Sequence, residues 1–186
     1  DKVLVGQALI LQTDQLPAVD WSGQDGELAI VFEDEHVIVV DKPPGLVMHP
    51  AAGHADGTLV NRLIGYAPEL ERLPRGGIVH RLDKDTSGIL VVARSTLAHQ
   101  SLVAQLAARS VKREYLAICQ GVLSGGATID APIGRHPTAR TRMAVIASGK
   151  AAVTHYRIRQ RFAHYTALDV NLETGRTHQI RVHLAH

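Results

Sequence analysis

The sequence predicts a mixed α+β domain dominated by antiparallel sheet. Short β-branched runs recur between polar or Gly/Pro-rich turns, and few segments carry apolar residues at helical spacing. A length of 186 residues with 45% hydrophobic content is enough for one buried core.

In chain order, residues 28–32 and 36–41 flank the polar turn Glu33-Asp34-Glu35, a hairpin signature. Lys42-Pro43-Pro44-Gly45 breaks the pairing, because two prolines cannot donate to a ladder. Residues 46–49 resume extension before a loop over 50–57. Thr58 is placed to cap a short helix through Tyr66, with Leu59, Leu63 and Tyr66 on one side. Residues 78–83 and 88–93 read as strands separated by the turn formers Thr86, Ser87 and Gly88. From Ser95, the residues Ala98, Leu102, Val103, Leu106 and Ala107 recur at helical spacing to about Arg109. A strand over 112–120 and a turn over 121–126 follow. Beyond the arginine-rich loop 135–142, residues 143–146, 151–162 and 165–172 are strand-like, and a helix starts near Thr177.

Residues 3–12 form a lone strand-like fragment joined by a polar linker over 13–26, so the expected division is 1–12, 13–26 and a main domain over 27–186. Because RVHLAH ends inside a helical pattern, that domain is expected to be shortened at its C-terminus.

Cys119 is the only cysteine, which excludes an intramolecular disulfide and a cysteine-based zinc cage. No apolar run approaches the roughly 20 residues of a membrane helix, and DKVLVGQ lacks a signal-peptide layout. A cytoplasmic setting with no membrane partner is expected. The net charge of +2 conceals a division: residues 1–74 hold 12 acids and 4 bases, and residues 75–186 hold 6 acids and 16 bases, or −8 against +10. The second part is the expected face for a polyanion. Arginine supplies 15 of the 20 bases, which suits bidentate phosphate contacts.

The densest chemistry lies in HRLDKDTSG, residues 80–88. On an extended chain Arg81 and Asp83 share one face while His80 and Leu82 share the other. An aspartate beside arginine stays ionised at neutral pH and is then able to act as nucleophile or base. A surface ion-pair cluster around a turn is the competing reading. In ETGRTHQIRVH, residues 173–183, a glycine precedes Arg176, Thr177 and His178 at a helix start, as in an anion or carboxylate site, or simply as a turn before a basic helix. In KREYLA nothing local sets Tyr115 apart from a half-buried packing residue.

Together, KPPGLVMHP, HRLDKDTSGILVVAR, REYLA and GRTHQIRVH, in that order, resemble the pseudouridine synthases of the large-ribosomal-subunit type, the RluA/RluD family. The resemblance runs from about residue 33 to the end. VMHPAAGHADGTLVNRL, GGIVHRLDKDTSG, RHPTARTRMAV and GKAAVTHYRI are similar to its RluD branch. Residues 1–12 resemble the last strand of the S4-like RNA-binding domain that often precedes the catalytic one.

The resemblance implies an isomerase that converts uridine in RNA to pseudouridine without cofactor or metal. It breaks the bond from C1′ to N1, turns the uracil and joins C5 to C1′. Asp83 is the implied catalytic residue, with Arg181 pairing to it and Tyr115 stacking on the uracil. Whether Asp83 attacks covalently or removes a sugar proton stays open. Arg81 is the implied wedge that replaces a flipped-out uridine. His80, Arg135, Arg140, Arg142 and Arg176 are further candidate RNA contacts, with Arg157, Arg159 and Arg161 as phosphate-tracking candidates. The implied partner is a stem-loop of large-subunit ribosomal RNA, bound by a monomer; transfer RNA is the alternative. Two rivals differ in class. A non-catalytic RNA-binding module would bind without turnover. A metal hydrolase would use His178, His183 and His186, whose spacing does not match a zincin.

Overall fold

The computed structural model describes residues 21–51 and 53–186. The expected strand over 3–12 and residues 13–20 of the linker lie outside the described residues. The rest of the linker is tied down: the Gln24 N–H donates to the Asn61 carbonyl at 2.9 Å, and Asn61 Nδ2 donates to the Ser22 carbonyl at 3.0 Å. The two segments come so close that a Cβ on Gly65 would collide with the Gln24 backbone, which leaves room only for glycine.

The architecture is α+β with antiparallel sheets, as the sequence predicts. Strands β1 (Ala29–Glu33), β2 (Val37–Lys42) and β3 (Gly88–Ala93) form a sheet in that order. Its register sets Ile38 opposite Val92 and Val40 opposite Leu90, so all four enter one buried cluster. Helix α1 (Leu59–Tyr66) completes that core with Leu59, Val60, Leu63 and Ile64. Its start follows from Thr58, whose N–H donates to Asn61 Oδ1 at 3.1 Å in a capping box. Helix α2 (Thr96–Ala107) begins where the Ala98 N–H donates to Ser95 Oγ at 3.2 Å. None of its residues is buried, and Leu97 is 72% exposed.

The second sheet has the order β4 (Glu114–Gln120), β9 (Tyr165–Leu172), β8 (Val153–Arg161) and β5 (Ala127–Asp130). Two further short strands, β6 (Ile133–Arg135) and β7 (Met143–Val145), make a hairpin, and α3 (Gln179–Leu184) closes the chain.

Three expectations are corrected, and one unassigned segment is filled. Residues 46–49 form no strand, because the Val47 and Met48 carbonyls accept from the Leu59 and Val60 N–H groups that open α1. Residues 78–83 form no strand either; a single bridge, Ile78 to Val92, precedes irregular backbone. Strands β5 and β6 form where none was expected, and Arg135 lies in β6 rather than in a loop. Two short 3₁₀ turns, Pro68–Arg72 and Pro74–Gly77, fill the segment after α1.

Candidate active site

The site begins with a lysine the sequence reading passed over. Lys42, at the end of β2, is completely buried, and its Nζ donates to the carbonyls of Pro43 (2.8 Å), Leu46 (3.0 Å) and Lys84 (2.9 Å). The Gly45 N–H donates to the same Lys84 oxygen at 2.8 Å, from a left-handed backbone with φ 86 that suits glycine. One ammonium therefore ties the KPPG turn to the residue that follows Asp83. Burial pushes the Lys42 pKa below 10.5, while the carboxylates of Asp85 and Asp83 oppose that fall.

The Asp83 segment keeps its alternation without a ladder. Leu82 is in the core, His80 is half-buried, Arg81 is exposed and Asp83 is 19% exposed at its side chain. His80 Nε2 accepts the Val91 N–H at 3.2 Å, so the ring faces β3 and not an open surface. Burial lowers the His80 pKa, and the Arg113 guanidinium adds to the effect. His49 is lowered by burial and then by Arg75.

These two rings make a pH dependence. A histidine lowered below 6.5 in the fold binds its proton more readily when unfolded. Stability is therefore full above pH 6.5 and falls as pH drops through that value toward the folded one. We expect the thermal midpoint to fall between pH 7.5 and pH 5, and His80→Gln to flatten that fall. A midpoint independent of pH in both proteins would contradict it.

Helix α3 delivers the last motif. Gln179 is buried with all its capacity used: Nε2 donates to the Val153 carbonyl (3.0 Å) and Thr154 Oγ1 (3.0 Å), and Oε1 accepts from Thr174 Oγ1 (2.8 Å) and the Arg176 N–H (2.9 Å). His183, one turn on and also buried, contacts Thr154 Oγ1 at 2.8 Å and the Ala131 carbonyl at 2.9 Å. With residues 179 and 183 facing inward, residue 181 falls on the opposite side of the helix. Arg181 is exposed, and among the described residues no ion pair joins it to Asp83. The side chain that does approach is His178, whose Nε2 lies 3.9 Å from Asp83 Oδ1. Both His183 nitrogens face protein partners, so His178, His183 and His186 do not converge as the hydrolase reading requires.

Tyr115, on β4, is half-buried against the core cluster. Its pKa is raised by burial and further by Asp83, with Arg113 opposing. Arg113 is a second residue the sequence reading missed. Its Nη2 donates to the Glu173 carbonyl at 2.6 Å, Nε is buried without a partner, and a Cβ at Gly175 would lie 2.9 Å from Nη1. It sits beneath the loop that leads into α3. The only signal in the sequence was its place two residues before Tyr115.

The other cations divide. Arg176 is half-buried with Nε on the Ala151 carbonyl at 3.0 Å, so it closes its own loop. Arg135, Arg140 and Arg142 are exposed on the β6–β7 hairpin, where Arg135 Nη1 donates to the Arg140 carbonyl at 3.0 Å. Arg159 pairs with Asp169 at 3.3 Å, and Arg161 donates to the Leu123 and Ser124 carbonyls, which leaves Arg157 the least committed of that trio.

The site thus sets a half-buried carboxylate with an imidazole 3.9 Å away, and the same chain carries an exposed basic hairpin. The family model described as RNA pseudouridylate synthase matches residues 36–186, and the chain belongs to that family. Ribosomal large subunit pseudouridine synthase D of Pseudomonas aeruginosa is 58% identical over 186 residues, covering 100% of this chain and 58% of that protein. The protein of the same name from Xanthomonas campestris is 60% identical over 163 residues, covering 88% and 49%. That from Escherichia coli O6:H1 is 51% identical, covering 100% and 57%. The chain thus spans about half the length of these relatives. Among solved structures, human RNA pseudouridylate synthase domain containing 1 aligns with a TM-score of 0.69 at 26% identity, covering 92% of this chain and 67% of that one. No helix among the described residues is long and apolar enough to cross a membrane.

Proposed function

We propose that the protein isomerises uridine to pseudouridine in RNA, with Asp83 as the catalytic carboxylate. The observation that carries this reading is the placement of Asp83: 19% exposed, with its charge felt at Tyr115, on a turn whose backbone is fixed by Lys42. Such a carboxylate is suited to attack C1′ of a nucleoside or to take a sugar proton as the uracil leaves. Tyr115 is read as the ring that stacks on the uracil. Arg81, exposed two residues earlier, is read as the side chain that fills the gap left by an extruded uridine.

Large-subunit ribosomal RNA is the proposed substrate, supported by the names of the relatives that cover the whole chain. The protein is proposed to act as a cytoplasmic monomer. Residues 1–12 are read as the end of an S4-like domain, and the bonds from Ser22 and Gln24 to α1 favour a catalytic boundary near residue 21. The test is release of tritium from C5-labelled uridine in that RNA by the full-length protein. Release supports the reading; RNA binding with no release would make the protein a binding module.

The exposed guanidiniums of Arg140 and Arg142 are read as phosphate contacts. Replacing both by alanine should reduce the slope of log affinity against log salt by about 2 and weaken binding to unrelated RNAs equally. An unchanged slope would remove the hairpin from the interface.

A further inference from the structure

We propose that His178 is a positioning residue for the Asp83 carboxylate, holding its oxygens in the orientation the reaction uses; the inference rests on the reading of Asp83 as the catalytic group. Among the described residues His178 is the only basic side chain within 4 Å of Asp83, and no hydrogen bond reaches the Asp83 carboxylate oxygens. The separation of 3.9 Å is longer than a hydrogen bond, but contacts of this kind tighten when substrate fills a site.

The backbone supplies a second, independent observation. His178 has φ 56, in the left-handed region where glycine would be unstrained. Strain of this kind persists only where the surroundings over-determine it, and it collects at functional sites. Here Gln179 on one side, with four hydrogen bonds, and His183 one turn later, with two, fix α3 against β8. The imidazole is thereby presented to Asp83 from a rigid base. The other groups facing this corner are Lys42, whose ammonium is spent on three carbonyls, Asp85, Tyr115 and Arg113. Arg181 is exposed and, among the described residues, forms no ion pair with Asp83. An imidazole N–H on the carboxylate would leave the other carboxylate oxygen free for the nucleoside.

Two variants of the full-length protein test this. His178→Gly removes the ring and relieves the positive φ, so the fold should be kept, with an unchanged or higher thermal midpoint. His178→Asn tolerates the left-handed backbone and restores an N–H donor. In single-turnover tritium release from C5-labelled uridine in large-subunit ribosomal RNA, we expect H178G to lose about tenfold or more in maximal rate with RNA affinity within about twofold of the parent, and H178N to recover part of the loss. A rate within about twofold of the parent for H178G would overturn the inference. So would a loss confined to RNA affinity, which would make His178 a phosphate contact. If the parent itself releases no tritium, the reading of Asp83 fails and this inference falls with it; that result is told apart because parent and variants are then equally silent.

Discussion

Asp83→Asn is expected to abolish tritium release, by about 10³-fold or more, while the thermal midpoint and RNA affinity stay close to those of the parent. The amide matches the carboxylate in size but neither takes a proton nor attacks C1′ readily. No hydrogen bond among the described residues depends on the Asp83 side-chain oxygens, so the substitution breaks no structural bond. What the fold uses is the Asp83 backbone, whose carbonyl accepts the Thr86 N–H at 3.1 Å. The measurement is single-turnover release beside an unfolding curve and a binding isotherm. Rate lost with the other two intact assigns the chemistry to Asp83; a variant that still releases tritium at a comparable rate would move the chemistry elsewhere.

The second large effect is expected at Lys42. Lys42→Met keeps the length and the apolar stem but leaves the Pro43 and Leu46 carbonyls without their donor and weakens the hold on Lys84. A buried acceptor left unsatisfied costs about 1–3 kcal/mol, so a total near 3–5 kcal/mol is expected, with a midpoint lower by roughly 10 °C. Because those carbonyls fix the turn after Asp83, the rate should fall more steeply than stability: even at temperatures where the variant is fully folded, release should drop by about tenfold or more. Calorimetry with rate measurements on the folded variant separates the two. A folded variant with the parent's rate would show that the ammonium supports the fold without aligning the carboxylate.

Where the signals are local, the sequence reading and the structure agree closely. The polar turn at Glu33-Asp34-Glu35 gave the β1–β2 hairpin, Thr58 and Ser95 gave two helix starts, and the long runs at 153–161 and 165–172 gave the two long strands of the second sheet. Each depends on neighbours in the chain: a cap bonds two or three residues on, and a strand pattern repeats every second residue. Strands β5 and β6 were missed because they are short and have weak alternation, and become strands only by pairing with β8 and β7. Residues 78–83 looked like a strand because an apolar alternation there serves burial of Ile78, His80 and Leu82 without a partner ladder.

At the candidate site, motif order alone marked Asp83, Tyr115 and the α3 segment, because those residue types recur there for their chemistry. The partners were another matter. Nothing local foretold that α3 is anchored by the inward turn of Gln179 and His183 toward Thr154 and Ala131, contacts across 25 and 52 residues of chain, or that His178 is the basic side chain within 4 Å of Asp83 among the described residues. Lys42 read as the edge of a strand break, and its role appears only when Lys84, 42 residues away, brings a carbonyl to it. The sequence by itself determined the fold class and the family and singled out Asp83 as the candidate carboxylate, since these are written in local pattern and in side-chain identity. Only the tertiary structure decided what surrounds that carboxylate, because carbonyl acceptors are supplied by every residue alike, and which of them meet a given ammonium or imidazole depends on chain closure and not on composition.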